Sequence, residues 1–190
     1  MKPHTRPPNE VRIIGGLWKR TRLPVPDKPG LRPTPDRVRE TLFNWLGQDL
    51  TGWRCIDAFS GSGALGFEAA SRGATDVLLV EQDAALVALL RTTQQKLQAT
   101  AVKVERANGL TVLARTLPGT CDLVFLDPPF DANLWNKALA SAAALLQAQG
   151  RIYLEAPVAW SDEQLAPFGL AVERHMKAGA VHAHLLRRAA

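Results

Sequence analysis

The chain has 190 residues, 46% of them hydrophobic, and a formal net charge of +5, which suits one domain with a small appendage and a sizeable core. No apolar run reaches the roughly 18 residues of a membrane span, and the basic, proline-rich stretch Met1 to Asn9 lacks the apolar core of a secretory signal. Cys55 and Cys121 lie in apolar segments without zinc-like Cys/His spacing, so the expectation is a cytoplasmic protein with buried free thiols and no metal.

The charge is unevenly spread. Residues 1–39 hold 10 Lys/Arg against 3 Asp/Glu, whereas residues 40–190 hold 13 against 15. Basicity confined to one end suits a polyanionic partner, because Lys and Arg displace counterions from phosphates. A solvated basic tail is the plain alternative. The four histidines are scattered and read as structural or solvent-facing.

In chain order, residues 1–10 are expected to form a disordered basic tail. Val11 to Ile14 reads as a short strand, Gly15-Gly16 as a turn and Leu17 to Leu23 as the returning strand, with Lys19, Arg20 and Arg22 exposed. Pro24 to Pro33 is an irregular linker. A helix follows, with Thr34 as its cap and Pro35 in its first turn. Val38, Leu42, Trp45 and Leu46 make its apolar face, and Arg37, Arg39, Glu40 and Asn44 take the other faces.

From residue 53 strands and helices alternate. Strands are predicted at 53–58, 76–81, 102–106, 121–127 and 150–156, and helices at 63–72, 83–98, 109–115 and 134–147. Two late strands, 168–174 and 181–187, predict a hairpin across Ala178-Gly179. Such alternation predicts an α/β fold, a parallel sheet covered by helices on both faces with an antiparallel hairpin on one edge.

The first core strand runs into Asp57-Ala-Phe-Ser-Gly-Ser-Gly-Ala-Leu-Gly66. Gly61, Gly63 and Gly66 match G-x-G-x-x-G, which supplies a tight turn, close backbone approach to a ligand and close helix–strand packing. Glu81 ends the second strand, 20 residues after Gly61, where a carboxylate accepts hydrogen bonds from ribose hydroxyls. These features indicate an adenosine-containing cofactor. Asp57 narrows the choice, because a carboxylate there would repel a dinucleotide pyrophosphate but suits the ammonium and sulfonium of S-adenosylmethionine. Asn108 could bond the adenine amino group or could be a turn residue before Gly109.

Leu123 to Leu126 is a buried strand that ends in Asp127-Pro128-Pro129-Phe130. Two prolines remove two backbone donors, leaving carbonyls and a carboxylate. A cluster of acceptors suits an amino group turning into a nucleophile, and Phe130 can stack on a base.

Val11 to Gly16, Leu31 to Thr34, Asp36 to Asn44, the glycine loop and Asp127 to Phe130 occur together and in order. In these the chain resembles the bacterial RsmD family of 16S ribosomal RNA guanine-N2 methyltransferases, from residue 11 to the end. The resemblance implies a Rossmann-like class I methyltransferase fold, with a seven-stranded, mostly parallel sheet, a C-terminal antiparallel hairpin and a small N-terminal β-hairpin extension. It implies RNA-binding residues 11–33, a methyltransferase domain over 34–190, and S-adenosylmethionine as methyl donor. The implied target is guanine 966 of 16S RNA, in the assembled or nearly assembled small subunit, met by a monomer. Catalysis then falls to Asp127, Pro128, Pro129 and Phe130. The cofactor falls to Asp57, Ser60, Gly61, Gly63, Glu81, Gln82, Asn108, Gly109 and Thr34, and the RNA to Lys19, Arg20, Arg22, Arg32 and Arg37. Ser60 stands where family members often carry Ala. Adenine-N6 methylation of DNA is the alternative that keeps the same chemistry. An NAD-dependent oxidoreductase is opposed by Asp57, and a non-catalytic RNA-binding factor by the intact Asp-Pro-Pro-Phe.

Overall fold

The computed structural model describes residues 9–130 and 133–190. The expected tail over residues 1–8 lies outside them. Asn9 and Glu10, expected in that tail, instead join a hairpin: β1 (Glu10–Arg12) pairs antiparallel with β2 (Arg22–Pro24), and the Asn9 carbonyl accepts from Val25.

Both hairpin strands are shorter than the pattern predicted, and Gly15-Gly16 is not a two-residue turn. The cause lies in the body of the protein. The backbone N–H of Leu17 donates to the Ser71 carbonyl at 2.7 Å, and that of Trp18 to the Ser71 hydroxyl at 2.9 Å, so neither serves a ladder. Gly16 sits at φ +77°, where a Cβ would stand 1.8 Å from the Ser71 oxygen. Only glycine fits that approach. Arg20 adopts φ +72°, which breaks the returning strand expected over Leu17 to Leu23.

Helix α1 (Asp36–Leu46) starts after Pro35, with no side-chain cap. Thr34 does not cap it; its hydroxyl is turned into the sheet. Val38 and Leu42 are buried as expected, and so is Phe43. Arg39, expected on an outer face, is fully buried.

The remaining chain alternates as read: β3 (Arg54–Asp57), α2 (Ala64–Ser71), β4 (Asp76–Glu81), α3 (Ala84–Lys96), β5 (Val102–Arg106), α4 (Gly109–Arg115), β6 (Cys121–Leu126), α5 (Trp135–Leu145) and β7 (Leu146–Ala156). β7 begins four residues before the expected start, because the chain leaves α5 directly into an extended conformation at Leu146. A short α6 (Asp162–Leu165) and a 3-10 turn precede β8 (Leu170–Ala178) and β9 (Val181–Arg188). The seven strands lie in the order β5-β4-β3-β6-β7-β9-β8. The first five are parallel, and the β8–β9 hairpin adds antiparallel strands at one edge.

Each sheet face carries its own core. Leu42, Phe43, Phe67 and Leu90 pack with Phe125 and Tyr153 on one face. Val112, Leu139, Ala142, Ile152 and Leu186 pack on the other. Cys55 and Cys121 are buried and free. The chain leaves β3 for β4 on one side, and β6 lies on the other, so the order reverses between β3 and β6. Ligands of open α/β sheets bind outside the carboxyl ends of the strands at such a point.

Candidate active site

The loop after β3 is stitched to both neighbouring strands. Ala58 N–H donates to the Phe125 carbonyl at 3.2 Å, and Ser60 N–H to the Val80 carbonyl at 2.9 Å. The Ser60 hydroxyl donates inward to the Asp57 carbonyl at 2.9 Å, so that side chain shapes the turn. Helix α2 starts at Gly63 without a side-chain cap, leaving its leading N–H groups for an anion. A Cβ on Gly66 would lie 2.1 Å from Leu79, which confirms the close helix–strand packing read from the motif.

Asp57 is 1% exposed, and neither carboxylate oxygen has a well-formed hydrogen bond among the described residues. Burial pushes its pKa up to about 7, with partial relief from the Gly66 N–H and added repulsion from Glu81. A buried carboxyl without a partner is costly. A cationic ligand resolves that cost, so the site fits the ammonium of S-adenosylmethionine, with the α2 terminus for its carboxylate.

Glu81 is already employed. One oxygen accepts from Gly61 N–H at 2.9 Å, and the other from Gln82 and Asp83 at 2.8 and 3.0 Å. It ties the glycine turn to the end of β4, and the oxygen on Gly61 keeps a lone pair for a ribose hydroxyl. Gln82 contributes its backbone to this tie. Asn108 caps α4, its side-chain oxygen accepting from Leu110 and Thr111. This is the turn role that the sequence left open for Asn108. Gly109 follows with its Cα against the Ala58 carbonyl, where a Cβ would stand 2.2 Å away.

Asp127, Pro128, Pro129 and Phe130 follow β6. Asp127 is half-buried, Pro128 buried, and Phe130 39% exposed. The Phe130 ring lies 5.9 Å from Trp135, tilted by 47°. Removal from water, then the neighbouring Glu155 and Asp57 carboxyls, hold Asp127 well above the usual carboxylate range. Thr34 reaches the same place, its hydroxyl donating to Glu155 at 2.5 Å.

Lys19, Arg20, Arg32 and Arg37 are exposed and have no ion pair among the described residues. Arg22 is exposed but pairs with Glu10 at 3.2 Å.

Three groups escaped the sequence reading. Glu68, fully buried in α2, holds Arg39 at 3.0 Å and Arg72 at 2.9 Å and accepts from the N–H groups of Ile14 and Gly15. It clamps the hairpin corner to the helix of the cofactor loop. A lone Glu in the apolar run Ala64 to Ser71 was the available signal. Lys28 pairs with Asp83 at 2.5 Å, and Leu31 packs beside Gly61, so the linker straps across the cofactor loop. Glu155 is the third, at the end of a strand that reads as plain core. Among the described residues, no three His, Cys, Asp or Glu side chains could hold a metal, and no helix is long and apolar enough to cross a membrane.

The model of a family described as "Conserved hypothetical protein 95" matches residues 11–187. Ribosomal RNA small subunit methyltransferase D of Escherichia coli is 41% identical across the whole chain, which covers 96% of that relative. The structure of a putative methyltransferase, yhhF, from Escherichia coli superposes with a TM-score of 0.82 at 38% identity, over 96% of this chain and 99% of that one. A putative methylase from Haemophilus influenzae gives 0.77 at 32%, over 96% and 100%. An unpaired Asp57 beside a glycine turn, an Asp-Pro-Pro-Phe loop on the next strand and these relatives agree: the chain belongs to the RsmD family of S-adenosylmethionine-dependent methyltransferases.

Proposed function

We propose that this protein methylates the exocyclic N2 amino group of a guanine in 16S ribosomal RNA, within the assembled or assembling small subunit. One observation carries the reading. Asp57, buried and without a partner, and the acceptor-only loop Asp127 to Phe130 stand at the carboxyl ends of adjacent strands. The first invites the cationic methyl donor, and the second invites an amino group. The name of the Escherichia coli relative supports ribosomal RNA as the substrate.

S-adenosylmethionine supplies an electrophilic methyl group on sulfur. Asp57 would hold its ammonium, the α2 terminus its carboxylate, Glu81 its ribose, and Asn108 with Gly109 its adenine. The guanine amino group is a weak nucleophile, because its lone pair is shared with the ring. Asp127 and the carbonyls of the proline pair accept from its N–H bonds, turn the lone pair toward the methyl group and stabilise the charge that develops. Phe130, backed by Trp135, stacks on the unstacked base. Residues 11–33 form an RNA-binding extension to a catalytic domain over 34–190. Lys19, Arg20, Arg32 and Arg37 hold phosphates, which positions the body without reading bases. The protein works as a monomer in the cytoplasm.

Label transfer tests the reading. Methyl-labelled S-adenosylmethionine is offered with small subunits that lack the modification, with duplex DNA and with no substrate. Label in 16S RNA is expected. Label in DNA alone would replace this function with adenine methylation, and no transfer would reject an enzyme.

A further inference from the structure

We propose that Glu155 is the positioning residue for Asp127, and that the two carboxyls share one proton and together accept the proton the guanine amino group gives up. This rests on Asp127 as the catalytic carboxyl.

Strand register brings the pair together. Phe125 pairs with Tyr153 and Leu126 with Leu154, so the next step sets Asp127 beside Glu155 on one sheet face. Asp57 pairs with Phe125 from the other side and faces the same place. Glu155 is 6% exposed. The Thr34 hydroxyl, at 2.5 Å, and the Tyr153 hydroxyl, at 2.8 Å, both donate to the same oxygen. Its backbone is pinned too, Trp135 Nε1 donating to the Glu155 carbonyl at 3.1 Å.

No Lys or Arg pairs with this carboxyl among the described residues. Arg39 donates to the Thr34 and Arg12 carbonyls and spends its charge on Glu68 and Asp36. The groups around Asp127 are therefore two carboxyls, Asp57 and Glu155, and two neutral donors, Thr34 and Tyr153. Adjacent carboxyls withdrawn from water do not both ionise, and one shared proton relieves the repulsion. Thr34 and Tyr153 already donate to Glu155, so the shared proton lies on the Asp127 side and is donated to Glu155.

The step balances. A bond forms between N2 and the methyl carbon as the carbon–sulfur bond breaks, its electron pair going to sulfur. N2 then carries the methyl group, two hydrogens and a positive charge. One of those protons passes to the carboxyl pair, which goes from one proton to two and from one negative charge to none. N2 recovers its lone pair. The extra proton leaves to water after the product departs.

The test is the pH profile of single-turnover methyl transfer on small subunits at saturating cofactor. In the wild type, activity falls on the alkaline side as the pair loses its shared proton, at a pH above the ordinary carboxylate range. Glu155→Gln replaces the second carboxyl with an amide that donates to Asp127, so there is no shared proton to lose: that alkaline limb should disappear, and the plateau rate should fall by roughly tenfold. Tyr153→Phe keeps both carboxyls but removes a donor to ionised Glu155, so the limb should move to higher pH. If Glu155→Gln fails to fold, Tyr153→Phe carries the test. Limbs that stay at the wild-type pH in a folded variant overturn the inference. An active Asp127→Asn enzyme would instead sink the catalytic reading beneath it. A dead Asp127→Asn enzyme with an unmoved Glu155→Gln profile sinks the inference alone.

Discussion

Asp57→Asn should make the cofactor-free protein more stable while removing its affinity for S-adenosylmethionine. The ordinary aspartate value is 3.8, and burial raises that of Asp57 to about 7. At about 1.4 kcal/mol per pH unit, holding Asp57 ionised above pH 7 costs at most about 4 kcal/mol. The sign follows from proton binding. Between 3.8 and about 7 the folded protein keeps a proton that the unfolded chain has lost, so stability falls as pH rises through that window and is level above it. Asn cannot ionise, but its amide is still an unmatched buried group, costing about 1–3 kcal/mol. The net gain at pH 8 is at most roughly 1–3 kcal/mol, or about 2–12 °C for a chain of this size. Scanning calorimetry at pH 5 and pH 8, with and without cofactor, reads all of this. The variant should melt higher than the wild type at pH 8, and the gap should close at pH 5. Cofactor at about 100 times its Kd should add about 2.7 kcal/mol to the wild type and far less to the variant. A variant no more stable than wild type at pH 8, or one stabilised equally by cofactor, would refute the reasoning.

Asp127→Ala should lower single-turnover rates by about 10²-fold or more, with cofactor affinity by calorimetry nearly unchanged. Glu68→Ala strands two buried arginines and should cost roughly 3–5 kcal/mol or more, read as a fall in melting temperature of about 6–20 °C. Changing Lys19, Arg20, Arg32 and Arg37 together to Ala should weaken binding to small subunits and flatten its salt dependence by up to about four charges. Filter binding at several salt concentrations checks this, and cofactor affinity should not move.

Elements with a strong period were legible. The alternation from residue 53 gave the parallel sheet, and the ends of its strands and helices fell within a few residues of those observed. The glycine loop was legible because glycines at fixed offsets answer local needs, as the contact of Gly66 with Leu79 illustrates. The hairpin misled, because its donors at Leu17 and Trp18 bond to Ser71, more than fifty residues away. Pattern rules see neighbours in sequence and miss that competition. Arg39 was assigned to a wet face, since a charged side chain is rarely buried unless paired; its partner Glu68 belongs to another helix. Thr34 looked like a cap for the same reason, and its true partner, Glu155, lies 121 residues away. The tetrapeptide Asp127 to Phe130 announced itself. The carboxyl beside it did not, because strand register, not sequence spacing, brings Glu155 to Asp127.

Mass mapping of 16S RNA tests the central claim most directly. Small subunits that lack the modification are incubated with the protein and deuterated S-adenosylmethionine, and the RNA is digested and sequenced by mass. One labelled methyl group on the N2 amino group of one guanine is the expected result. Label on any other atom, or on several unrelated nucleotides, would contradict the account.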